Sequence, residues 1–436
     1  MLWLTRWRIH KTNNMSCFFR RIFAFSFIFV FIVFGFSCNR GKSKPVIVWT
    51  NQKEFASYAE LFNASQDLTR VMVIYKEKPV ESLPVAKDEQ APDIVIGPLL
   101  KNQSVKKNFR PMDYLFSEQQ INPSIFYPQL LNTGYINDKQ YLLPVSFNIP
   151  AVIFSKHNKS YVQENHIINL DQIKDIAATY NKTNKSGIYT HMGFAPNWDS
   201  RFMHLVANIN NVDFKEKENL FNWNDFNLDK TVNYLRDWTK TANTSTSAEN
   251  DFEFKYLYTP SYKQVVSGRC LFAYTTSAEL FALPEDQLQE IDFRWIHNNG
   301  QIPLEDDMVY LGLYKKANNP EGAEKFIAWL TKEETQRNLL ERSASMNLSA
   351  STFGISGGFS AIKNVNERIF PLYYKTLLGN IPAADYLNPP NTLPPRWESL
   401  KSRVVIPWLE NATDTAHEVP SKTMDQLITE WSKQFN

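Results

Sequence analysis

The chain has 436 residues, 47 basic against 45 acidic, and a formal net charge of +2. Five of the basic residues and none of the acidic ones fall within the first 37, so residues 38–436 carry a net charge of −3. That balance offers no single-sign field and excludes nucleic acid as a natural partner, and the remaining length is too great for one core and implies two domains.

In chain order, Arg20-Arg21 precedes an apolar run over 22–36, then small Ser37 and Cys38. A basic flank, an apolar stretch and a small residue before the cut are the parts of an export signal. Residues 1–37 therefore read as a signal peptide of lipoprotein type, and 38–44 as a polar tether. The alternative is an uncleaved membrane anchor, but a span needs about 20 apolar residues and this run is shorter. Phe34-Gly-Phe-Ser-Cys38 resembles the lipobox of bacterial lipoproteins, with Gly35 where most carry an aliphatic residue. The resemblance implies a lipid on Cys38 and a protein tethered to the cell envelope. With Cys17 removed and Cys38 modified, only Cys270 is left. No internal disulfide is then possible, and stability must come from core size. Cys270 lies in an apolar run and reads as a small buried hydrophobe.

Val46 to Trp49 reads as a buried strand, and 53–63 as a helix with Phe55, Tyr58, Ala59 and Phe62 on one face. Strands follow at 70–75 and 93–97, separated by a charged, proline-bearing segment. Strand, helix, strand, crossover, strand argues for a parallel sheet covered on both faces. Ligands then sit beyond the carboxyl ends of the strands, here Trp49-Thr50-Asn51 and Gly97-Pro98. Two extended pieces over 141–155, broken at Asn148-Ile-Pro150, suggest a crossing between domains. The chain turns helical from Asn169, and the Ser/Thr/Asn-rich stretch 241–250 reads as a loop. A turn and buried strand are expected over 267–275, and another strand over 308–314. Asn319-Pro320-Glu321 opens the clearest helix, with Asn as N-cap and Pro at the first helical position. Beyond Gly357-Gly358 the pattern is helical, with a proline-rich interruption over 389–395.

These segments, in this order, resemble the extracellular solute-binding proteins of ABC importers, of the maltose-binding-like type. The patches that carry the resemblance are the opening strand and helix through Phe62, Pro92-Asp-Ile-Val-Ile-Gly97, Leu142-Leu-Pro-Val-Ser-Phe-Asn148 with Ala151-Val-Ile-Phe-Ser-Lys156, Ser267 to Thr276, and Asn319 to Leu330. The resemblance implies an α/β protein of two Rossmann-like lobes joined by a hinge, the type II periplasmic-binding-protein fold. It places 45–148 with 302–345 in the N-terminal lobe and 149–301 with 346–436 in the C-terminal lobe. It also implies a membrane permease of the ABC type as partner, and no cofactor.

Candidate ligand contacts follow from these positions. Trp49 and Asn51 stand at a strand's carboxyl end, where an indole can stack on a sugar. Trp198 and Asp199 combine a ring with a carboxylate, which suits a polyol. Tyr274 and Thr275 offer hydroxyls at the end of a second-lobe strand. Phe147 and Asn148 lie at the crossing, and Trp397 follows a Pro-Pro-Arg turn. Most have a plain structural alternative: core packing for Trp49, an N-cap Asp199 beside a packed Trp198, a helix start for Tyr274 and Thr275, a turn for Asn148, surface packing for Trp397. Among these contacts a small solute, a carbohydrate by its aromatic partners, is the expected ligand.

Catalytic motifs are lacking. There is no His-Glu-x-x-His, no Gly-x-Ser-x-Gly and no phosphate-cradling glycine loop. Ser104-x-x-Lys107 and Ser360-x-x-Lys363 lack the companion motifs of the hydrolases that use this pattern. The seven histidines show no metal-ligand spacing. The expectation is a binding protein rather than an enzyme. The rivals are a cell-envelope hydrolase using paired carboxylates such as Asp306 and Asp307, and a surface adhesin or sensor that has lost transport.

Overall fold

The computed structural model describes residues 44–436 other than 163, 219, 347–351 and 436. The expected signal segment, Cys17, Cys38 and most of the tether lie outside them.

The first strand, β1 (Val46–Thr50), is buried along its whole length, as its unbroken apolar run requires. Helix α1 (Glu54–Ser65) buries Phe55, Tyr58, Ala59 and Phe62, the four positions set by its period. Strands β2 (Val71–Tyr75) and β3 (Ile94–Gly97) run parallel to β1 on either side of it. The chain then passes through β4 (Leu143–Phe147) into β5 (Pro150–Ser155), β6 (Ile167–Asn169), α2 (Leu170–Tyr180), α3 (Ser200–Ile209), α4 (Asp225–Ala242), α5 (Thr246–Lys255), β7 (Ala273–Thr276) and β8 (Ile291–His297). It returns in β9 (Val309–Leu313), α6 (Pro320–Leu330) and β10 (Phe359–Ser360), and continues to α7 (Ile406–Thr413).

Two sheets result. The first has the order β10-β4-β9-β3-β1-β2, the second β7-β5-β8-β6. The parallel arrangement expected for the opening strands holds, while β9 runs antiparallel to both β3 and β4. Strand β10 is hydrogen-bonded antiparallel to β4 in the first sheet, although the expected lobe boundary at 346 lies ahead of it. Gly358 makes that pairing possible, because a Cβ there would lie 2.6 Å from the Phe147 carbonyl oxygen. Its neighbours Ser356 and Gly357 both adopt left-handed backbone, with φ of 49° and 77°.

Two sequence expectations need correction. The stretch 241–250 is not a loop. Helix α4 runs to Ala242, and Ser245 caps α5 by accepting the Ala248 N–H, so the Ser/Thr content marked a helix start rather than a long connection. The segment after Gly358 is not uniformly helical either, since β10 comes first. The helix from Asn319 is as expected: the Asn319 side chain accepts the Gly322 N–H, with Pro320 at the first turn.

Strand β5 carries the two cores on its two faces. Ala151 and Ile153 join the cluster of the first sheet, and Val152 and Phe154 join that of the second, as a period of two dictates. The first cluster includes an aromatic slab in which Phe281, Phe353 and Phe359 meet at centroid distances of 4.8 and 5.0 Å. Phe147 lies inside it, 5.7 Å from Phe359. The first lobe also touches the second away from the crossing. Leu99, with φ of 59°, packs in the second cluster, and Glu81 lies 3.7 Å from Arg396.

At the crossing, buried Asn148 ties four strands of chain together. Its Nδ2 donates to Asp307 Oδ2 (3.0 Å) and to the Gly357 carbonyl (3.1 Å), and its Oδ1 accepts from Ser277 Oγ (2.7 Å). The Asn148 carbonyl accepts the Glu305 N–H. Replacing Asn148 by Ala would leave several of these groups without partners. Asn148→Ala is expected to cost about 2–4 kcal/mol of stability, read as a lower midpoint in denaturant unfolding; an unchanged midpoint would contradict the role given to the knot.

Candidate functional site

The turn Pro196–Trp198 and the start of α3 carry the densest grouping of expected site residues. Trp198 is half-buried. Its ring stacks on Phe252 of α5 at 5.5 Å and 18°, and its Nε1 donates to the Glu249 carbonyl at 3.2 Å. One indole face is thus braced from behind. Asp199 is the N-cap of α3, accepting the Arg201 N–H at 2.9 Å. The same carboxylate takes Arg201 in a fork, Nε to Oδ1 at 3.0 Å and Nη2 to Oδ2 at 2.6 Å. Arg201 also pairs with Glu279 and lies 5.5 Å from the Tyr274 ring. These ion pairs, Asp199 first, raise the guanidinium pKa further and keep it charged.

Trp198, Asp199, Tyr274 and Thr275 all line one cavity of about 580 Å³, together with Arg201, Tyr256 and Glu279. A braced aromatic face beside a carboxylate–guanidinium–carboxylate chain can stack on an apolar ligand face and hydrogen-bond its hydroxyls. Cys270 also lines this cavity. It is buried, as expected, and burial pushes its thiol up to about 12, so it is no nucleophile.

The other expected contacts lie elsewhere. Trp49 is fully buried on central β1, with the Lys76 ammonium 4.4 Å from its ring centroid. Asn51 stands beside Gly97, so the carboxyl ends of β1 and β3 do meet. Phe147 is in the aromatic slab, and both amide ends of Asn148 are taken by the knot. Trp397 is buried rather than on the surface, and its Nε1 donates to Asp306. It lines a different cavity of about 460 Å³ that includes His204 and Asp306.

Sequence reasoning missed Arg201, Glu279, Phe252 and Tyr256. Arg201 sits two residues past the N-cap, a position that faces the capping carboxylate. Glu279 follows Thr276, whose side chain caps the short helix Ser277–Leu280. Phe252 and Tyr256 are spaced i, i+4 and lay behind the misread loop.

Where the chain returns through 305–307, three acids stand in a row. Glu305 accepts from the Tyr274 hydroxyl at 2.8 Å, Asp306 from Lys401 Nζ at 2.8 Å, and Asp307 from Asn148. Burial pushes Glu305 up to about 7; Lys401 opposes this while Asp306 and Asp307 add to it. Burial also works on Asp306, but the Lys401 ammonium, with the Lys401 and Trp397 hydrogen bonds, holds it at about 2. Asp307 is raised by burial and by Asp306, yet its side chain reaches solvent, which screens it. Neutral His204, lowered to about 3 by burial and then by Lys401, adds no charge. The folded chain therefore holds a proton on Glu305 more tightly than the unfolded chain does. Its contribution is full below about pH 4.5 and is lost as pH rises through 7, on the order of 2 kcal/mol after screening. The melting temperature is expected to fall between pH 5 and pH 8, and Glu305→Gln to flatten that slope; an equal slope in the variant would refute the assignment.

Among the described residues no group of three His, Cys, Asp or Glu side chains is placed to hold a metal ion, and no helix is long and apolar enough to cross a membrane. Two α/β lobes, joined by a strand pair that crosses between two sheets, form a type II periplasmic-binding fold. The chain belongs to the bacterial extracellular solute-binding protein family, whose pattern matches residues 40–352. That family binds solutes and is not one of enzymes. Among solved structures, the chain is similar to an ABC substrate-binding protein from Listeria monocytogenes in complex with cycloalternan, at 13% identity and a TM-score of 0.59, over 90% of this chain and 99% of that one. It is also similar to the GacH receptor of Streptomyces glaucescens, described unliganded and with acarbose, at 13% identity and 0.58, over 90% and 98%. A cyclic alpha-maltosyl-1,6-maltose binding protein from Arthrobacter globiformis matches at 14% and 0.59, over 90% and 97%. No curated protein matches the sequence.

Proposed function

We propose that the chain is a lipid-anchored binding protein that captures a carbohydrate and delivers it to an ABC-type importer. The observation that carries the ligand class is the Trp198 ring, braced on Phe252 and set beside the Asp199–Arg201–Glu279 chain in one cavity. A sugar ring has an apolar face for the indole and hydroxyls for the charged groups. The similar proteins named above with cycloalternan and acarbose support the same class. The anchor rests on Phe34-Gly-Phe-Ser-Cys38 and the apolar run before it. The mechanism needs no chemistry: a ligand held on the Trp198 side favours a closed form to the extent that it also gains contacts to the first lobe, by differential affinity.

A thermal-shift screen against sugars, polyamines, amino acids and metal ions tests the class. A ligand at 100 times its dissociation constant adds about 2.7 kcal/mol of apparent stability. A saturable shift with one family of oligosaccharides is expected. In that background Trp198→Ala should weaken the sugar by about 10- to 100-fold, while Trp198→Phe keeps most of the affinity. Full sugar affinity in Trp198→Ala would sink the site; no shift with any sugar would sink the carbohydrate reading and favour the adhesin or sensor.

A further inference from the structure

The cavity that holds Trp198 is charged as well as aromatic. Three carboxylates line it, Asp199, Glu253 and Glu279, against one guanidinium, Arg201, and no lysine or histidine does. Three negative charges against one positive leave the lining at −2. Arg201 is already committed, since it takes both oxygens of Asp199 and pairs with Glu279. Glu253 is the acid left over. It follows Phe252, which braces the Trp198 ring, and Tyr256 and Leu257 stand three and four residues further on. All three line the cavity, as that spacing on one helix face allows.

The Glu253 carboxylate is half-buried and makes no hydrogen bond or ion pair among the described residues. Burial raises its pKa, the charge of Asp199 raises it further, and no basic group pulls it back. The cations near this stretch are turned elsewhere. Lys255 Nζ donates to the Tyr189 carbonyl at 3.2 Å, the Arg269 guanidinium lies 5.5 Å from the Tyr256 ring, and neither residue lines the cavity. A neutral sugar stacked on Trp198 would take Glu253 from water without a counter-charge, which opposes binding. An anionic sugar would meet like charge. A sugar that carries an ammonium group offsets the carboxylate, makes charge-assisted hydrogen bonds to it, and gains attraction from the Trp198 and Tyr256 rings.

We propose that the solute is an amino sugar, with its ring on Trp198 and its ammonium group on Glu253, Asp199 adding to the field. The proposal rests on the carbohydrate reading of this cavity and narrows it. Isothermal titration of the purified full-length chain with three matched trimers tests it: β-linked glucosamine, the same trimer N-acetylated, and cellotriose, which has hydroxyls in place of the amines. The glucosamine trimer is expected to bind at least about tenfold more tightly than either neutral trimer. In Glu253→Gln that ratio should fall to about threefold or less; the substitution removes no bond of the fold, because the carboxylate makes none. A neutral trimer bound as tightly as the amine would overturn the amino sugar and leave the carbohydrate reading standing. An unchanged ratio in Glu253→Gln would overturn the role of Glu253. Binding of none of the three would overturn this inference, while the broader oligosaccharide screen still decides the carbohydrate reading. Tighter binding of 1,4-diaminobutane than of any trimer would overturn both in favour of a polyamine.

Discussion

The crossing between the two sheets is held by one buried side chain, the Asn148 amide. A buried amide has a fixed number of donors and acceptors, and here they are spent on Asp307, Gly357 and Ser277. Those groups come from chain segments far apart in sequence, so the knot fixes the relation of the outgoing strand, the returning strand and the third pass near 357. Two-stranded hinges with free backbone would flex in many directions. A side chain that bonds all the passes restricts motion to those that keep its bonds intact, which is what a reproducible closure requires.

Around that knot, stability comes from aromatic packing rather than cross-links. Cys270 is the free cysteine among the described residues, and it is buried. The slab of Phe281, Phe353 and Phe359 spans the back of the crossing, and β5 gives one face to each core. The same strategy serves the site. Phe252 does for Trp198 what the slab does for the crossing: it sets one ring in place with another, at little conformational cost.

The sequence made the skeleton readable because long apolar periods, capping residues and strand runs act locally. Asn319, Pro320 and the α1 face follow from their own neighbours. The site was readable only in part. Trp198, Asp199, Tyr274 and Thr275 converge as their places at element ends suggested. Arg201 and Glu279 join them through an ion pair between elements 78 residues apart, which no local pattern announces. Trp49 shows the opposite difficulty. A strand-end indole looks like a platform in sequence, but β1 is flanked on both sides and Lys76 covers the ring. Burial by neighbours distant in the chain decided its environment.

Leu99 gives the two-lobed shape a kinetic side. It leaves β3 in a left-handed turn and inserts into the core of the opposite lobe. Separating the lobes would return that side chain to water at a cost of about 2 kcal/mol. Placed wholly in the opening barrier, such a cost slows opening about thirtyfold. Any motion that parts the two clusters must expose this leucine, so its burial resists their separation independently of any other contact between them.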